Sequence, residues 1–162
     1  MVRKVGIVGS SESHWTQELR TKAIKKIRDI FLDEASKETE KIMNVIGLSE
    51  EYKKTLFFDP YSHLNRILLI SGRSPKRGID DWAEIVADVM NVNKEIYPAE
   101  VKQWNDRGKE KGYESRNIQI ATASNSLYCI DPITRKPDEG GGMWTLNYAK
   151  RLNKETHHVI IS

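Results

Sequence analysis

The stretch Ser71 to Gly78, reading SGRSPKRG, packs hydroxyls, two glycines and the cations Arg73, Lys76 and Arg77 into one short loop. Residues of these types suit anions, because glycine lets backbone N–H groups approach a ligand and a guanidinium grips a phosphate in a bidentate fork. Three further stretches share the character: Gly9, Ser10 and Ser11 in GSSESH, Arg116 and Asn117 in GYESRN, and Gly140, Gly141 and Gly142 ahead of Thr145 in GGGMWT. The guanidinium of Arg116 could hold a phosphate, and the amide of Asn117 could read the edge of a base or ribose. Asp80 and Glu114 are the candidate carboxyls for acid, base or metal-ligand chemistry. Each feature also has a plainer reading: a polar turn, a flexible glycine tip, a surface salt bridge, or an acidic residue suited to a helix start. His14 could touch a ligand. His63, His157 and His158 lack metal-ligand spacing, no Ser/His/Asp set stands out, and no metal site is nominated.

These loops need elements to hold them. Ile67 to Ile70 is a continuous apolar run that fits a strand buried on both faces. From Ile79 the apolar residues Trp82, Ala83, Val86, Ala87 and Met90 fall three and four apart, which predicts a helix. The same alternation recurs. Strands are expected at Val2 to Val8, Lys94 to Tyr97, Leu127 to Ile130 and His157 to Ile161, the last one buried. Helices are expected over Thr16 to Phe31, Ser115 to Ala123 and Met143 to Leu152. Between Asp33 and Asn65 the pattern weakens into a charged helical piece at Ser36 to Ile46 and a connector from Phe57. An insertion or extended crossover at about 32–65 is the reading there, within a single domain spanning 1–162. The polar stretch Ala99 to Gly112, with Trp104, is long enough to cover a site. Strands alternating with helices predict a three-layer α/β domain around a mostly parallel five-stranded sheet, with ligands beyond the carboxyl ends of the strands.

The chain has 162 residues, 38% hydrophobic and 30% charged, the balance of a globular domain with a charged surface. No apolar run is long enough to span a membrane and no signal-peptide pattern follows Met1, so a cytoplasmic protein without a membrane partner is expected. The single cysteine, Cys129, excludes an internal disulfide and lies in an apolar run, where a buried thiol is the reading. A net charge of +3 is small for a nucleic-acid binder. Lys22, Lys25, Lys26 and Arg28 could start a basic face, but the acidic segment after Asp29 interrupts it.

Taken together, SGRSPKRGIDDWA, IYPA, Trp104, GYESRN, a strand, and GGG with Thr145 make the chain resemble the SLOG superfamily of Rossmann-like nucleotide-binding proteins. That superfamily takes in the DNA-processing protein A fold and the lysine-decarboxylase-like phosphoribohydrolases. The resemblance runs from Val5 to Ile161, with Phe31 to Asn65 outside it. It implies strand order 3-2-1-4-5 and a nucleotide or nucleotide-derived ligand over the first, second and fourth strands. Two departures bear on function. Ser11 stands where many members carry arginine, and GGGMWTLNY replaces the PGGxGTxxE of the hydrolases, with Trp144 for glycine and no carboxylate on the next turn. A binding or sensor module is therefore the first expectation. A hydrolase or transferase of the phosphoribohydrolase type is the alternative, and a DNA-binding module the second. The residues identify no cofactor; a nucleotide could serve as one and magnesium could accompany it, although no pattern points to the ion. Self-association is left open.

Overall fold

The computed structural model describes residues 1–55, 60–100, 102, 104, 112–136 and 139–162. Parts of the expected connector from Phe57, of the polar stretch Ala99 to Gly112 and of the loop before Gly140 lie outside the described residues. In chain order the elements are β1 (Arg3–Gly9), a 3₁₀ turn at Glu12–His14, α1 (Gln17–Val45), α2 (Glu50–Thr55) and a 3₁₀ stretch at Pro60–Arg66. β2 (Ile67–Ser71), α3 (Ile79–Val89), β3 (Asn93–Ile96), α4 (Tyr113–Ala123), β4 (Ser126–Pro132), α5 (Gly141–Arg151) and β5 (Glu155–Ile161) complete it.

The sheet order is β3-β2-β1-β4-β5 and every pairing is parallel, which makes this a Rossmann-like α/β fold. Successive strand residues point to opposite faces, so β1 feeds two cores. Val5 and Ile7 pack with Ile27 and Phe31 of α1 and with Trp82 and Ala83 of α3. Val8 packs on the other face with Ile120 of α4 and with Met143 and Leu146 of α5. Because the strand order reverses between β1 and β4, the helices on either side diverge there and leave a crevice at the carboxyl edge.

Two expectations need correction. The first helix does not stop near Phe31: α1 is continuous to Val45, so Ser36 to Ile46 is not a separate piece. Its buried stripe passes through Glu34, Ala35, Glu38 and Thr39, and the acids make the apolar pattern look broken. Glu34 is accommodated by bonds from Tyr128 OH (2.6 Å), Ser126 Oγ (2.9 Å) and Lys37 Nζ (3.1 Å), with Arg3 also paired to it. Those donors hold its carboxyl down at about 2 despite the desolvation that pulls the other way. The last strand is not buried but lies at the sheet edge, with Ile161 covered and Ile160 half exposed. Among the described residues no helix is long and apolar enough to cross a membrane.

Candidate functional site

At the carboxyl edge, where the amino ends of α3, α4 and α5 meet β1, lies a cavity of about 300 Å³. Two close approaches shape it. A Cβ on Gly142 would come 3.0 Å from the Cα of Gly9, so glycine lets the start of α5 sit tightly on the end of β1. Gly78 has φ +106°, and a Cβ there would meet the carbonyl oxygen of Ser10 at 2.4 Å; this lets Ile79 donate its N–H to that carbonyl and joins the two loops. The carbonyl of Ser10 also accepts from the indole of Trp15, which packs edge-on against Trp82.

Of the residues singled out in the sequence, the cavity brings together Gly9, Ser11, Asp80, Arg116, Asn117, Gly140, Gly141, Gly142 and Thr145, with His14 beside them. The other nominated residues stand back. Ser10 and Ser71 are fully buried, donating to Asp131 and to Glu84 respectively. Gly72 supplies a carbonyl to Arg116, and Gly78 is a packing position. Arg73 turns to Glu84 at 3.3 Å, and neither it nor Arg77 lines the cavity; both have positive φ, and Lys76 between them is the cation that faces in. Glu114 is likewise not among the lining residues.

The lining groups are short of partners. Asn117 is 4% exposed and its side chain has no hydrogen bond among the described residues. Arg116 spends Nη1 on the Gly72 carbonyl at 2.8 Å, lies over the Tyr113 ring, and leaves Nε buried without a partner among the described residues. An unmade hydrogen bond of this kind costs about 1–3 kcal/mol, so such groups mark places where a ligand or ordered water belongs. Asp80, in the first turn of α3, is pushed up to about 6 by burial, against the pull of the Arg116 charge and with Glu84 and Asp81 adding to the rise. Three helix amino ends, Lys76, Arg116 and Arg135 make the cavity a place for an anion, and Asp80 offers a hydroxyl-seeking carboxyl inside it.

Arg135 and Tyr113 line the cavity without having been anticipated. Arg135 donates to Ser10 Oγ at 2.6 Å and lies against Gly140, yet nothing in TRKPDE marks it beyond its place after a strand. Trp104 forms another wall, set edge-on to Trp144 at 5.3 Å, and Trp144 in turn stacks on Tyr148. The tryptophan that replaces glycine in the expected motif thus belongs to an aromatic row on α5.

No protein-family model matches the chain, and no curated protein matches it in sequence. Among solved structures it is similar to DNA processing protein A from Streptococcus pneumoniae, with a TM-score of 0.57 and 13% identity over 97% of this chain and 50% of that one. The chain therefore spans about half the length of that protein. At this identity the likeness concerns the fold, a Rossmann-type α/β domain of the kind found in DNA processing protein A.

Proposed function

We propose that this protein is a nucleotide-binding domain of the SLOG type, which holds a nucleotide or nucleotide-derived ligand in the cavity at the carboxyl edge. One observation carries the reading: the cationic, glycine-walled cavity is lined by Asn117 and Arg116, both with unmade hydrogen bonds among the described residues. Its volume of about 300 Å³ is at the small end for ligand sites, which favours a mononucleotide over a dinucleotide. In this reading the amino end of α5, Lys76, Arg116 and Arg135 face the phosphate, Asn117 and Asp80 meet base and ribose groups, and Trp104 lies against a ring. A thermal-shift screen against nucleotides tests it, since ligand at 100 times its dissociation constant stabilises by about 2.7 kcal/mol. No shift with any mononucleotide at millimolar concentration would remove the proposal.

A second reading rests on Asp80. A buried carboxyl near 6 in a cleft is poised to give or take a proton near neutral pH, as a nucleotide hydrolase or transferase would need. Chromatography of incubated nucleotides for released base or phosphate separates the two. Because the structural neighbour is a DNA processing protein, single-stranded DNA is a necessary third ligand in the same screen.

A further inference from the structure

On the same edge, behind the cavity, three side chains of metal-ligating type converge. Cys129 and Asp131 are two apart on β4 and so share a face, and the parallel register sets His158 of β5 beside Cys129. The Cys129 Sγ, an Asp131 oxygen and a ring nitrogen of His158 all lie within 4.8 Å of one another. The hydrogen bonds show where they point. Oδ1 of Asp131 accepts from Ser10 Oγ, which itself accepts from Arg135, while Oδ2 receives both Cys129 Sγ at 3.4 Å and His158 Nε2 at 3.0 Å. One carboxylate oxygen is thus the meeting point of a thiol and an imidazole, with the other oxygen held in place from behind.

We propose that Cys129, Asp131 and His158 form a site for a divalent transition metal of the zinc class, independent of the nucleotide reading. The chemistry of the donors fits: thiolate, imidazole and carboxylate are the ligands zinc takes, and three of them with one open position is the pattern of a non-structural site. The geometry is close to that of a loaded site. Metal–ligand bonds of about 2.0–2.3 Å in a tetrahedron set ligand atoms roughly 3.3–3.5 Å apart. The sulfur–oxygen separation already has that length and the nitrogen–oxygen separation is slightly short. Only the sulfur–nitrogen edge, at most 4.8 Å, needs to close, by roughly an ångström. The His158 side chain is 27% exposed against 7% for Asp131, so of that pair the imidazole has the more room to move.

The surroundings supply an entry path and an orienting shell. A second cavity of about 170 Å³ borders Asp131 and His158, with Ile133 and Ile160 on its apolar side and Arg135 and Lys136 on its polar side, and it is the route by which an ion would enter. Ser10 fixes the carboxylate in the way outer-shell donors fix metal ligands. On binding, the thiol of Cys129 gives its proton to solvent as the sulfur–metal bond forms. The imidazole presents the lone pair of Nε2 and keeps its proton on Nδ1. Thiolate and carboxylate together neutralise the dication, so the Arg135 guanidinium nearby faces no net positive charge. Neighbouring His157 takes no part, because it stacks on Tyr128 on the opposite face.

Cobalt(II) titration of the full chain tests this, because a sulfur ligand produces a thiolate-to-cobalt charge-transfer band and the visible bands report coordination number. One cobalt per chain is expected, with the charge-transfer band present, displaced by zinc. Cys129→Ser should abolish that band, His158→Ala should weaken binding by at least tenfold, and His157→Ala should leave it unchanged. Absence of saturable binding or of the sulfur band in the wild-type chain overturns the site. So does equal affinity in His158→Ala, a variant at a partly exposed edge position that keeps the test decisive even if Cys129→Ser folds poorly.

Discussion

Replacing Asp80 by Asn removes a charge from a buried position while keeping the shape of the side chain. In the folded protein this carboxyl is raised from 3.8 to about 6, so ionising it costs about 3 kcal/mol more than in the unfolded chain. The unfolded chain therefore releases the proton first as pH rises. Stability from this group is complete below 3.8 and is lost as pH climbs through about 6. Asp80→Asn should accordingly be more stable than wild type by up to about 3 kcal/mol near pH 8, roughly 6–12 °C in Tm, and no more stable near pH 3.5. Arg116 is the charge that opposes the rise, so in an Arg116→Ala background the gain should be larger. Urea unfolding of the variants at the two pH values measures this directly. If Asp80→Asn is less stable than wild type near pH 8, or gains equally at both pH values, the carboxyl is not held in an unfavourable environment and its functional reading loses its physical basis. A gain would mean that the fold tolerates a costly group at the mouth of α3, as functional sites do. The same variant then separates binding from chemistry: affinity for a nucleotide should hold or rise in a binding module, whereas an enzyme using Asp80 should lose about a hundredfold in turnover.

Arg116→Ala should cost about 1.5–3 kcal/mol in nucleotide affinity by calorimetry, while Lys154→Ala, whose amine bonds the Thr122 carbonyl and does not line the cavity, should cost almost nothing. Glu34 has its folded value lowered from 4.5 to about 2, so it stabilises the fold by roughly 3 kcal/mol above 4.5, and this is lost as pH falls toward 2. Glu34→Ala should cost on the order of 3–5 kcal/mol in urea unfolding at neutral pH, because Arg3 and Tyr128 lose their shared acceptor. Single-stranded DNA should bind weakly in about 0.15 M salt, since the net charge is only +3 and the basic run Lys22 to Arg28 is interrupted by the acids after it; submicromolar affinity with a steep salt slope would contradict this.

The alternation of strands and helices was legible because the buried strands are apolar runs and α3 carries a clean stripe from Ile79 to Ala87. Helix α1 was legible as two pieces, to Phe31 and from Ser36, and not as one, because the buried Glu34 between them is made compatible with the core by Arg3, Ser126 and Tyr128, distant in sequence. The same limit governs the cavity. Glycine-rich loops announce themselves locally, and Gly9, Asp80, Arg116 and Gly141 do converge. That Arg73 turns to Glu84 while Lys76 faces the cavity depends on positive φ at Arg73 and Arg77, which side-chain types do not encode. Arg135 gains its place through Ser10, and Cys129 meets Asp131 and His158 through strand pairing. Those relations exist only after folding.

The middle position of β1 bears on how the chain reaches its folded state. β1 is translated first, yet its two neighbours begin at Ile67 and Ser126, and Val5 pairs with Ser126 itself. Until β4 has emerged, a partial sheet of β3, β2 and β1 carries an open apolar edge at Gly6 to Gly9, the row of backbone groups later taken by β4. Such long-range closure slows folding and leaves a nascent intermediate prone to pairing with other chains. Supplying 112–162 as a separate polypeptide to a chain ending before α4 would rescue that intermediate by strand addition, turning the order of synthesis into an order of assembly.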